Sequence, residues 1–110
     1  MVDEEKLLEL ESQYEIGFSE LMQYYTMLLQ IPCVQEEGDE KLYYCLEALA
    51  QSRITNEIKE REHGGMEYMS LEYSISDALY KTYGERAIPY LCEEYLTERE
   101  ISGMDAPLEL

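Results

Sequence analysis

The side chains of this chain that could do chemistry are one histidine, three cysteines and a large excess of carboxylates, 25 acidic residues against 8 basic ones. A nucleophilic pair would join His63 to Cys33, Cys45 or Cys92. No local signature draws any of these together. Glu60 and His63 spell the Glu-x-x-His half of a di-iron helix-bundle site. Such a site needs a second copy of the motif and two further glutamates, and with a single histidine in the chain only a homodimer would supply them. The cysteines contain no C-x-x-C pair, so a structural zinc site has no nucleus. The run Glu36-Glu37-Gly38-Asp39-Glu40 lacks calcium-loop spacing and reads instead as a turn leading into a helix N-cap at Asp39. No catalytic residue, metal or cofactor is assigned from the sequence.

What remains is charge. The formal net is −17 over 110 residues. An excess of that size disfavours direct contact with nucleic acid or an anionic membrane, which call for Lys and Arg. A partner recognised electrostatically should be basic. The apolar fraction of 45% is still enough for a core, so charge alone does not make the chain disordered. An odd number of cysteines in apolar surroundings reads as buried free thiols in a reducing compartment. The first residues lack the basic and apolar regions of a secretory signal, and no run approaches ~18 apolar residues. The expected location is the cytoplasm.

The elements that must position these carboxylates are helical. From Asp3 to Gln30, Leu7, Leu10, Tyr14, Phe18, Leu21, Tyr25 and Leu28 make one apolar stripe. Gly17 interrupts it, as a bend or as the junction of two shorter helices. Pro32 ends the element, and Cys33 to Gly38 is read as a connection. A second helix is expected from Glu40 to His63, with Leu42, Tyr43, Leu46, Leu49, Ala50, Ile54 and Ile58 inward and Gly64-Gly65 as its stop. Residues 67–83 fit a helix that starts near Glu67 or Ser70, with Ser74 and Asp77 resembling a capping box. The alternation of Met69, Leu71, Tyr73 and Ile75 also fits a strand. A fourth helix is expected from Arg86 to Ser102, with Pro89 in its first turn and Gly103 after it.

The predicted architecture is therefore all-α: one compact domain of about four helices over residues 1–103, followed by a loose tail at 104–110. The fallback is α+β, with a short strand near 69–75.

Two groups of residues are candidates for a partner surface. The first is an acidic face of Glu4, Glu11, Glu15, Glu93, Glu94 and Glu98. From Asp3 to Glu20, seven acids against one lysine over 18 residues make about one net charge per 4.5 Å of helix. Duplex DNA carries one per ~1.7 Å of its axis. Two acidic helices side by side would approach that density; one alone does not. The second group is aromatic. Neighbouring tyrosines cannot both point inward, so Tyr24 or Tyr44, and Tyr83 or Tyr90, are candidate surface anchors.

The leading functional reading is a non-catalytic binding protein that occupies a basic, nucleic-acid-binding surface of another protein. The chain is similar in size and charge to small acidic inhibitors of phages and mobile elements, such as anti-restriction and anti-CRISPR proteins, although no motif is matched. A second reading is an assembly module that pairs through the apolar face of the first helix, as a homodimer or with another helix. A third is a metal protein or enzyme built on Glu60 and His63.

Overall fold

A computed structural model describes residues 3–62, 64–65 and 70–101. Among them there are six α-helices and one 3-10 helix, with no strand. They are α1 Glu4–Tyr14, α2 Phe18–Leu29, α3 Pro32–Glu36, α4 Asp39–Glu62, α5 Leu71–Tyr83, a 3-10 helix Gly84–Tyr90, and α6 Glu93–Glu98. The chain is an all-α domain.

The long first helix of the sequence reading is two helices. Asp3 starts α1 by accepting the backbone N–H groups of Glu5 and Lys6 through Oδ1, a side-chain cap of the standard kind. Glu15 ends α1 in the left-handed region, at φ 56°. Ile16 then turns inward and is buried, and Gly17 precedes α2 with no side chain to cap it. Glu11 supplies the missing acceptor: its Oε2 takes the Phe18 N–H at 3.1 Å. The break thus has a cause beyond the weakness of a glycine. Ile16 gains a place in the core, and a carboxylate from the previous helix satisfies one of the donors it frees.

A non-glycine residue in the left-handed region is strained by about 1–2 kcal/mol. Glycine would relieve that strain while losing more backbone entropy, about 0.5–1 kcal/mol. Glu15→Gly is accordingly expected to stabilise the fold by about 0.5–1 kcal/mol. A shift of the urea midpoint at unchanged slope would show it, and a lowered midpoint would contradict it.

Three further boundaries differ from expectation. The stretch after Pro32 is a short helix, because proline suits a first helical turn. Asp39 is the first residue of α4, one place inside the cap position assigned to it. The fourth helix is divided: Pro89 lies inside the 3-10 helix, and α6 begins only at Glu93. Ser102 and Gly103 lie outside the described residues, as do the 104–110 tail and Met69.

Ser70, with its hydroxyl accepting the Tyr73 N–H at 3.1 Å, caps α5. Ser74 and Asp77, read from sequence as the capping box, are buried in the middle of that helix. The stretch 71–75 is helical, so the strand alternative fails for those residues.

Helix α4 is the centre of the packing, with α1, α2 and α5 against it. Its Leu42, Cys45, Leu46, Leu49 and Ala50 are almost wholly buried, whereas Ile58, expected inside, is 50% exposed. Helix α1 runs parallel to α4. The Asp3 N–H donates to the Tyr43 hydroxyl at 2.7 Å, and the Tyr14 hydroxyl donates to Glu47 at 2.7 Å. Helix α5 runs antiparallel to α4, with Arg53 donating to Ser74 at one end and Lys41 over the Tyr83 ring at the other. Arg86 of the 3-10 helix donates to Glu36 and Glu37, tying that segment to the end of α3. The thinnest dimension is 16 Å, which fits two layers of helices packed at 8–10 Å. No helix among the described residues is long and apolar enough to cross a membrane.

Candidate functional site

A groove of about 420 Å³ lies between α1 and the first half of α4. From α1 it takes Asp3, Lys6, Glu9, Leu10 and Gln13, and from α4 Asp39, Glu40, Tyr43, Tyr44 and Glu47. The spacings explain the walls. Residues three, four and seven apart lie on one face of a helix. The parallel pairing described above sets the two stripes facing each other.

Among the described residues, five carboxylates line the groove against one ammonium group. Asp3 and Glu47 already have structural partners, the first as the cap of α1 and the second as the acceptor of the Tyr14 hydroxyl. Glu9, Asp39 and Glu40 are exposed. Tyr43 forms part of the base: it is buried, its hydroxyl accepts from Asp3, and its ring lies 5.9 Å from that of Tyr25. Burial, aided by the neighbouring Tyr43, pushes the Tyr25 hydroxyl above its usual pKa. Tyr14, at the end of the α1 stripe, is also raised, by burial and then by the Glu47 carboxylate. Tyr44 is 58% exposed, the most exposed of the large apolar or aromatic side chains described.

The residues singled out from sequence fall in different places. Of the four aromatic candidates, Tyr44 and Tyr90 stand on the surface, while Tyr24 and Tyr83 are buried. Tyr24 and Tyr25 are both buried, against the expectation that neighbouring tyrosines cannot both point inward, because α2 packs on α1 as well as α4. The Tyr24 hydroxyl donates to Glu20 at 2.6 Å. Tyr83 closes the core end of α5. Neither can serve as a surface anchor.

Of the acidic candidates, Glu4 and Glu15 are exposed at the two ends of α1, and Glu11 is half-buried as the cap of α2. Glu93 and Glu94 are exposed in the first turn of α6, and Glu98 accepts the Tyr73 hydroxyl at 2.8 Å. Helix α1 is held by α2 and α4, whereas α6 is held by α5. The two acidic helices are thus anchored to different parts of the fold, with the α4–α5 contact between them.

Comparison with known protein families, curated proteins and solved structures finds no match. The reading of the site therefore rests on its own geometry.

The candidate chemical groups are placed as follows. Cys33 and Cys45 are buried free thiols, and Cys92 is half-buried. Burial pushes the Cys45 thiol up to about 12, so it is a poor nucleophile near neutral pH. Glu60 accepts from the Asn56 amide, and His63 lies outside the described residues. Among the described residues no three His, Cys, Asp or Glu side chains are grouped to hold a metal ion.

Sequence reasoning found Tyr44 but missed Glu9, Asp39, Glu40 and Glu47 as its companions. The spacing from Asp39 and Glu40 through Tyr43 and Tyr44 to Glu47 was the available signal. It marks one face of α4 without saying which helix faces it.

Proposed function

We propose that this chain is a non-catalytic binding module that docks a basic surface of a partner protein against the α1–α4 groove. The observation that carries the reading is the groove itself: five carboxylates to one lysine, beside an exposed tyrosine. Facing charges of opposite sign steer encounter and select partners. An aromatic at the centre of such a patch is a frequent source of binding energy.

Nucleic-acid-binding proteins present dense Lys and Arg surfaces to phosphates, which makes them the partner class of choice. A chain that covers such a surface would inhibit nucleic-acid binding, the mode of action of a nucleic-acid mimic such as a phage-encoded anti-CRISPR protein. The charge balance of −17 argues against direct contact with nucleic acid or membrane. Free, buried thiols fit a reducing, cytoplasmic setting.

The assembly reading has less support. Leu7, Leu10, Leu21, Tyr25 and Leu28, the stripe on which it depends, are buried in the chain's own core.

The test is affinity capture from an extract of the native host, followed by measurement on the purified partner. Binding should weaken at least tenfold between about 0.05 and 0.3 M salt, where the screening length shortens from roughly 14 to 6 Å. Glu9→Gln with Glu40→Gln should weaken it about fivefold at low salt, from two exposed charge contacts of ~0.5 kcal/mol each, with helicity unchanged. Binding that ignores both salt and the double substitution would overturn the proposal.

A further inference from the structure

We infer that the group seated in the α1–α4 groove is an arginine side chain of the partner, stacked on Tyr44 beside the chain's own Lys6. The inference rests on the binding function proposed above and specifies its ligand. Among the described residues, Lys6 is the only cationic side chain lining the groove. Its Nζ lies 5.8 Å from the centre of the Tyr43 ring, within cation–π range. Among the described residues Lys6 makes no ion pair, and Glu9, Asp39 and Glu40 make neither an ion pair nor a side-chain hydrogen bond. The free protein thus already holds one cation on an aromatic ring in this groove, while three carboxylates on its two walls stay unpaired.

A guanidinium meets those features together. It is planar, so it lies flat on a tyrosine ring. It is weakly hydrated, so little is lost when it leaves water. Its five N–H donors reach carboxylates on either side in one plane. A lysine ammonium is compact and strongly hydrated, and it satisfies the charge without the stacking. The exposed face of Tyr44, beside walls that carry Glu9 and Glu40, therefore discriminates between the two cations.

The probes are end-blocked ten-residue peptides of alternating glycine and arginine, or glycine and lysine. They are titrated at low salt into the isotope-labelled chain and followed by amide chemical shifts. The arginine peptide should bind about threefold tighter than the lysine peptide, a typical exposed cation–π increment. The largest shifts should fall at Lys6, Glu9, Tyr44 and Glu47. Tyr44→Phe should keep the arginine preference and Tyr44→Leu should lose it. Lys6→Gln should tighten both peptides about threefold by removing a like charge from the groove.

Equal binding of the two peptides, with both weakening in salt, would overturn the arginine assignment and leave the acidic binding function standing. Shifts centred on Glu93 and Glu94 of α6 would instead overturn the groove as the binding surface, and the arginine assignment with it. Failure of both peptides to bind at low salt would overturn the arginine assignment and the acidic binding function together.

Discussion

Raising the pH through 10 towards 12 is expected to unfold this protein in one cooperative step. Burial, reinforced by the Glu20 carboxylate, pushes Tyr24 from 10.0 to about 12. Burial and Asp77 do the same for Tyr95, and burial takes Cys45 from 9.0 to about 12. Tyr14, Tyr25, Tyr73 and Tyr83 are raised too, each chiefly by burial.

The sign follows from proton counting. Above pH 10 the unfolded chain loses these protons while the folded chain keeps them, so the unfolded state binds fewer protons and stability falls with pH. The contribution is whole below the unfolded values, near 9 for the thiol and 10 for the phenols. It is lost as pH rises through the folded values. Each tyrosinate also adds negative charge to a chain already at −17, which opposes compaction further. The part of the tyrosinate absorbance that comes from the buried tyrosines should therefore rise together with the loss of helical ellipticity above pH 10. Ionisation of all the tyrosines near pH 10 with helicity retained would show that burial does not hold their protons.

The second large effect is expected at Asp77. This side chain is 9% exposed and gathers three donors: the Tyr95 hydroxyl at 3.1 Å, Arg99 Nη2 at 3.2 Å and Lys81 Nζ at 2.9 Å. Arg99 also sits over the Tyr95 ring at 5.3 Å. The cluster joins α5 to α6, a helix of six residues that could not persist without tertiary contacts. Lys81 and Arg99 are more than half exposed, so they can return to water. The Tyr95 hydroxyl is buried and cannot. Asp77→Ala should cost about 2–3 kcal/mol, the range for a buried hydrogen bond to a charged group. That is a large share of the 5–15 kcal/mol typical of a domain. Asp77→Asn, which keeps an acceptor for Tyr95, should cost roughly half as much. Hydrogen exchange should show α6 losing protection first. A loss under about 0.5 kcal/mol, within the range of an ordinary surface substitution, would refute the role given to Asp77.

Apolar periodicity was enough to recognise an all-α chain. Leu7, Leu10, Leu21, Tyr25, Leu28, Leu42, Leu46 and Leu49 are buried where the 3.6-residue pattern puts them. The misreadings came from local patterns whose outcome depends on distant residues. Ser74 and Asp77 have the spacing of a cap, yet they lie inside α5 because α4 and α6 offer them partners in Arg53, Tyr95 and Arg99. Ile58 follows the core stripe of α4 but stands half out of the packing. Tyr24 and Tyr44 are equally tyrosine in sequence. Only the position of α2 across α4 decides that the first is buried and the second exposed. The groove is the extreme case, since its walls are separated by about 30 residues of chain and the parallel pairing that joins them has no local signature.

The most direct measurement of the binding function is calorimetric titration of the purified partner at several salt concentrations. It would compare three proteins: the unmodified chain, the Glu9→Gln and Glu40→Gln variant, and a Glu93→Gln and Glu94→Gln variant of α6. The groove variant should bind about fivefold more weakly at low salt and show a shallower salt dependence, while the α6 variant follows the unmodified chain. Equal weakening by both variants, or by neither, would contradict the assignment of the groove as the binding surface.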